Sequence, residues 1–447
     1  MRMSSSADDH GLERMTQAEL NEIIRKHQMF LTAKSGGARA LVRDRDLRGL
    51  SFQGQNLSQS DFTGSIMAEA DLTNANFESS TLFGCDFTNA KMMNTKLVRA
   101  DMRGAEIGEA DLSKADMTGA DLREGKTVVK RKIKKTDDIY GSSAHAGVVQ
   151  FIGSDLTDAV LTGATAISAD FTDAILENAR MQGTNLKGAN LRGADLKNVD
   201  LSGSDLRNAD FSYATMTGAV MDHVESGGSN FNLVLTGAPI GTDIAEFELT
   251  LDELVLHHTN WVANGGRQGK QLILLETDLR SGVNLSSKRL TAIRANKSTF
   301  GEMDLRGIEM QAANLDESDF RKCLMISADL RASSFRGCIF NRANLSKANL
   351  NPLPLKRADG STYSLPCRFE KASMRHVNFS GAQMREARFN GTDLTGADFR
   401  DCDLRRADFT GAFLKGAKFD GAVIDGAIFD KSGVTPPEPE NPVKIDE

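Results

Sequence analysis

Residues 184–211 read TNLKGANLRGADLKNVDLSGSDLRNADF, and every fifth residue is a leucine or a phenylalanine. This period constrains the fold more than any other feature of the chain. Large apolar residues, at a position termed i, run from Leu47, Phe52 and Leu57 to Leu122 without a slip, sixteen repeats in all. Further blocks run from Leu156 to Met221, from Leu285 to Leu350 and from Phe369 to Phe429, with fourteen, fourteen and thirteen repeats. Ala166 and Ala295 are the weak members.

A period of five matches neither a strand nor a helix. In a short extended segment, however, i−2 and i share one side and i−1 faces the other. The residues agree: small at i−2, Asp or Asn at i−1 and large apolar at i, as in Ala194-Asp195-Leu196. The odd step would reverse the faces in the next repeat. Positions i+1 and i+2, rich in Ser, Thr, Asn and Gly, must therefore turn the chain. A corner every five residues winds the backbone into a coil, and successive coils pair at the ~4.8 Å spacing of strands.

The pattern A-[DN]-[LF]-x-x, as in GANLRGADL and TGADFRDCDLRRADF, resembles the pentapeptide-repeat family. The resemblance implies an all-β solenoid, a right-handed four-sided β-helix with four pentapeptides per coil. Some members of that family mimic duplex DNA and bind DNA gyrase, so the resemblance also raises that role.

Two segments break the pattern in matching ways. Thr16 to Glu19 and Thr250 to Glu253 each form a T-x-x-E capping box. Each is followed by helical apolar spacing and closes at a glycine pair, Gly36-Gly37 or Gly265-Gly266. The predicted organisation is two tandem modules, each preceded by a short capping α-helix. The helices cover 16–37 and 246–266. The solenoids cover 38–245, with an insertion at 123–153, and 267–430, with an insertion at 351–367. The second insertion reads NPLPLKRADGSTYSLP, and Asp359-Gly360 between two short runs predicts a hairpin. Segments 1–15 and 431–447 are expected to be disordered, the latter being acidic and rich in proline. His27 and His258 occupy matching places and are expected to pack at helix–solenoid junctions.

No residue set points to catalysis. Cys85, Cys323, Cys338, Cys367 and Cys402 all stand at i−2, where a small buried residue is expected. Nucleophilic work would need an exposed thiolate beside a base. The remaining histidines have no Cys or His partner at metal spacing. Phosphate-loop, zincin and nucleophile-elbow motifs are absent. The chain is predicted not to be an enzyme, and no cofactor is expected. No apolar run approaches the ~20 residues of a membrane span. The first fifteen residues lack the apolar middle of a secretory signal, which predicts a cytoplasmic protein.

Binding is the class that remains. The insertion 123–153 holds seven basic and three acidic residues. Lys130, Arg131, Lys132, Lys134 and Lys135 are its candidate partner-binding residues, with a solvated hairpin as the plain alternative. Net charge is −6 over 46–122, −6 over 154–235, +3 over 271–350 and zero over 369–429. DNA mimicry would thus be confined to the N-terminal half. The outward Asp residues of the first block fall on all four faces, so no acidic stripe is expected. The preferred reading is a non-catalytic protein–protein interaction scaffold, with a DNA-mimicking regulator of a topoisomerase as the alternative. A protein partner is expected. A small-molecule substrate and direct nucleic-acid binding are not. The pattern permits end-to-end self-association, although the helices oppose uncontrolled stacking.

Overall fold

The structure, a computed structural model, describes residues 12–125, 147–281, 284–357 and 359–430. The chain divides into two compact units between Gly237 and Ala238. In each unit the repeats stack as parallel single-residue bridges, mostly twenty residues apart, such as Asp46↔Ile66 and Ile66↔Asp86. Twenty residues are four repeats, so each unit has four sides.

The backbone pairing follows from the repeat. The Leu57 amide donates to the Asn76 carbonyl at 2.7 Å, and the Asn76 amide to the Gln55 carbonyl at 2.8 Å. Thus i bonds to the coil after it and i−1 to the coil before it. The corner closes locally, with the Ala70 amide donating to the Met67 carbonyl at 3.1 Å. At the corner, i+2 is left-handed, with φ 53° at Asn198 and 71° at Gly64. This is why Asn and Gly recur there.

The lumen is dry. Ala194 and Leu196 are fully buried, and the other i−2 and i residues inside the stacks follow suit. Phenylalanines one coil apart stack: Phe369, Phe389, Phe409 and Phe429 follow at centroid distances of 5.2, 4.9 and 4.8 Å. A coil core this narrow excludes larger side chains, which explains why Trp and Tyr are rare while Phe is common.

Two helices stand at the starts of the units. The first, α1 (Gln17–Leu31), and the second, α2 (Leu251–Ala263), both form the expected capping boxes, on Thr16 and Thr250. Helix α1 buries Leu20, Ile24 and His27, and α2 buries the matching Leu251, Val255 and His258. Between Leu353–Lys356 and Thr362–Leu365 the chain forms an antiparallel hairpin around Asp359-Gly360.

Several expected boundaries move. Val149 and Phe151 are fully buried, and Gln150 bridges both Glu106 and Asp170. A complete repeat therefore lies inside the segment read as the insertion 123–153. The Val-Gln-Phe triplet has the required small–polar–large order, and Phe151 stands five residues before Leu156, so it opens the second block. Cys367 is in the lumen, so the interruption 351–367 ends one residue earlier. Thr242–Asp243 pairs in parallel with Thr277–Asp278, which assigns residues 238–245 to the second unit rather than to the solenoid 38–245.

Candidate interaction surface

The four sides of the first unit are defined by the ladders of i−1 residues. One ladder runs Asp46, Ile66, Asp86, Glu106, Gln150, Asp170, Asn190, Asp210 and Asn230. Adding the corner residues at i+1 and i+2 gives this side eight acids: Asp46, Glu69, Asp86, Glu106, Glu109, Asp170, Asp173 and Asp210. Within the repeats its bases are Arg48 and Arg192, and Arg14, which pairs in register with Asp46 at the start of the ladder, adds a third. The side starting at Leu41 has seven acids and five bases, that at Ser51 six and three, and that at Asn56 four and three. One side thus carries the largest share of the net negative charge of the wall.

Outward acids fall on all four sides, as expected, and this side stands apart by its net charge, because few bases accompany its acids. Its continuity rests on register. Glu106 and Gln150 are adjacent on the ladder although 44 residues separate them, so the acids of the second block join those of the first. From Asp46 to Asp210 the ladder climbs seven steps, roughly 34 Å.

Hydrogen bonding sharpens the contrast. Elsewhere an outward Asp is commonly followed, two residues on, by an Arg that bonds back to it. Asp205–Arg207, Asp304–Arg306 and Asp398–Arg400 each close at 2.5–2.6 Å. These arginines hold the three carboxyls below the usual carboxylate range. On the acidic side only Asp46 has such a partner, Arg48. Asp86, Asp170 and Asp210 instead accept the backbone N–H of Thr88, Thr172 and Ser212, each at 2.9 Å. An N–H fixes the carboxylate without neutralising it. Arg192 lies over the Tyr213 ring, 4.5 Å from its centre.

Lys130, Arg131, Lys132, Lys134 and Lys135 fall outside the described residues. The neck of their segment is described: the Gly125 amide donates to the Gly147 carbonyl at 2.6 Å. Leu122 lies on the Leu41 side and Gln150 on the acidic side, so the segment leaves from the corner between them.

The other sequence candidates are structural. All five cysteines are buried, and burial pushes their thiols up, to about 12 for Cys367 and Cys402. Their S–H groups donate to carbonyls in the preceding coil, Cys85 to Phe62 and Cys323 to Phe300, both at 3.0 Å. His27 and His258 are both fully buried. No helix among the described residues is long and apolar enough to cross a membrane.

Comparison with known proteins agrees with the repeat. Eight copies of the pentapeptide-repeats profile fall within 46–124, 149–222 and 313–351, and a pentapeptide-repeat-region profile matches 366–432. Together these matches cover more than half of the chain. A search of curated proteins returns no match. Among solved structures, QnrB1, a plasmid-mediated fluoroquinolone resistance protein, is 18% identical. The alignment covers 44% of this chain and 92% of QnrB1, with a TM-score of 0.24. HetL, involved in heterocyst differentiation regulation in the cyanobacterium Nostoc sp. strain PCC 7120, is also 18% identical. That alignment covers 93% of this chain and all of HetL, with a TM-score of 0.13. A pentapeptide-repeat protein of the Arabidopsis thaliana thylakoid lumen is 27% identical over 34% of this chain and 66% of its own, with a TM-score of 0.11. With its stacked four-sided coils and its profile matches, the chain belongs to the pentapeptide-repeat family, the right-handed quadrilateral β-helices.

Proposed function

We propose that the chain is a non-catalytic protein–protein interaction scaffold and that the acidic side of the first unit docks a basic protein surface. The observation that supports this reading most is the gathering of eight acids and three bases onto one rigid side. Carboxylates held by backbone N–H groups on a stiff wall need little reordering on binding, which lowers the entropic cost of association. Charge complementarity then speeds and orients encounter.

Helices α1 and α2 are proposed as caps that cover the first coil of each module, since a bare coil end exposes core and unpaired backbone. Hydrogen bonds from α1 support this: Gln28 Nε2 donates to the Asn56 carbonyl at 2.6 Å, and Gln17 Nε2 to that of Ser51 at 2.9 Å. The basic segment with Lys130, Arg131, Lys132, Lys134 and Lys135 is proposed as a docking arm for an acidic patch on the partner.

The test is affinity capture with the full chain, its Asp86→Asn/Asp170→Asn/Asp210→Asn variant and a control altered at Asp71, Asp111 and Asp155. Basic proteins held by the wild type and the control but lost by the first variant support the scaffold reading. An identical set on all three removes it. Deleting residues 126–146 tests the arm in the same way, and unchanged partners would dismiss it.

The acidic side also favours a second reading, the DNA-mimicking topoisomerase regulator. Magnitude argues against it. A duplex carries one charge per ~1.7 Å, so roughly 34 Å of it holds about twenty phosphates, several times the net charge of this side. Inhibition of topoisomerase supercoiling at sub-micromolar protein, abolished by the triple variant, would reverse that preference.

A further inference from the structure

The hairpin of the second unit has one apolar face. Its register pairs Leu353 with Leu365, Pro354 with Ser364, Leu355 with Tyr363 and Lys356 with Thr362. Side chains alternate along a strand, so Leu353, Leu355, Tyr363 and Leu365 share a face. The three leucines are half-buried and Tyr363 is 38% exposed. None of these four described residues is packed on the lumen core. Arg357 extends the same face, its guanidinium 5.0 Å from the centre of the Tyr363 ring. A two-stranded hairpin is marginal by itself, and a third strand or a packed layer completes it.

The backbone decides where a third strand can add. The Arg357 amide donates to the Ser361 carbonyl at 2.7 Å. Antiparallel pairs alternate between bonded and non-bonded, so Leu355–Tyr363 and Leu353–Leu365 are bonded pairs. The backbone groups of Pro354, Lys356, Thr362 and Ser364 therefore point away from the hairpin. On the outgoing strand Pro354 has no N–H, which closes that edge to pairing. On the returning strand Thr362 and Ser364 are exposed, and neither amide has a backbone acceptor outside the hairpin among the described residues. This edge offers two N–H and two C=O groups.

We propose that the returning strand docks an extended partner segment of alternating apolar and acidic residues, added as a third strand beside Thr362–Leu365. Side chains of the added strand divide between the two faces. One set lies beside Tyr363 and Leu365 and covers the apolar face. The other lies beside Thr362 and Ser364, on the face that Lys356 shares. Lys356 and Arg357 are exposed and make no ion pair among the described residues. The one acid between 353 and 365, Asp359, is bonded to the N–H and Oγ of Ser361. Carboxylates on the partner complement these two bases. A second copy of the chain is a poorer occupant, because its hairpin brings the same two bases to the joint. Strand addition draws affinity from backbone bonds and selectivity from alternate side chains. The site is separate from the acidic side of the first unit and does not depend on it.

A labelled peptide of seven alternating valines and glutamates, titrated against the full chain by fluorescence anisotropy, tests the site. Its valine–lysine counterpart and a version N-methylated on every backbone amide are the controls. The acidic peptide is expected to bind roughly ten-fold tighter than either. It should slow hydrogen exchange at Thr362 and Ser364. Ser364→Pro, which gives this edge the block that Pro354 gives the other, should weaken binding by a similar factor. Lys356→Glu should abolish the preference for the acidic peptide. Asp86→Asn/Asp170→Asn/Asp210→Asn should bind it as the wild type does. Hydrogen exchange at Leu355 and Tyr363 shows whether the hairpin survives Ser364→Pro; where it does not, the N-methylated peptide and Lys356→Glu decide. No binding, equal binding of the three peptides, unchanged binding by Ser364→Pro with its hairpin intact, or a dimer of the chain that Ser364→Pro dissolves each overturns the proposal.

Discussion

His27 Nδ1 accepts the backbone N–H of Ala40 at 3.1 Å, which ties helix α1 to the start of the first coil. The other ring nitrogen lies 3.0 Å from the Ser58 carbonyl. With Nδ1 accepting, Nε2 carries the proton and donates. His258 repeats the first bond, with Nδ1 accepting the Leu272 N–H at 3.0 Å.

These bonds require a neutral imidazole, and the helices should therefore loosen in acid. Burial lowers the pKa of both histidines, and Arg39 lowers that of His27 further. A depressed pKa means that the unfolded chain takes up the proton first. Stability is complete above the ordinary value near 6.5 and falls as pH drops below it. Thermal midpoints should be level from pH 8 to 7 and decline toward pH 5. In His27→Gln that decline should shrink, and an equal acid slope would refute the account.

The cysteines mark positions where size and a donor both matter. Serines at the same place make the same bond: Ser318 Oγ donates to the Ala295 carbonyl at 2.6 Å, as Cys323 Sγ does to that of Phe300. Cys323→Ser should cost less than about 1 kcal/mol, whereas Cys323→Leu should cost about 1–3 kcal/mol by overpacking. Urea midpoints on the two variants decide this. Thiol reagents should label none of the five at an appreciable rate until the chain unfolds, because burial raises all their pKa values.

Phe389 stacks between Phe369 and Phe409 in a continuous column. Phe389→Ala should cost about 3–5 kcal/mol. Phe389→Leu should cost far less, since leucine fills the same position in many coils. Equal losses in denaturant melts would show that the column does not behave as a packed core.

Much of this architecture is legible in the sequence because each repeat states its own orientation. Ala194-Asp195-Leu196 reads as in–out–in without any knowledge of its neighbours, and so do most repeats. The matched capping boxes at Thr16 and Thr250 are equally local. The acidic side is not. Which residues share a side depends on the phase across the interruption, and the pairing of Gln150, in the first repeat of the second block, with Glu106 sets that phase. Once Gln150 sits above Glu106, Asp170 and Asp210 fall in line with Asp86. The burial of Arg321 is no more legible. Its motif, Asp-Phe-Arg, recurs at Asp398–Arg400, where the guanidinium is half-exposed.

That last contrast yields a prediction. Arg321 and Asp319 form an ion pair with side chains 2% and 12% exposed, whereas Arg400 and Asp398 are at 52% and 18%. Removing one partner of a buried pair leaves a charge without compensation, at about 3–5 kcal/mol. An exposed pair contributes about 0–1 kcal/mol. Asp319→Asn should thus destabilise the second unit several-fold more than Asp398→Asn, and the gap should persist in high salt, which screens surface charges more than buried ones. Equal midpoints for the two variants would mean that Arg321 is solvated in solution.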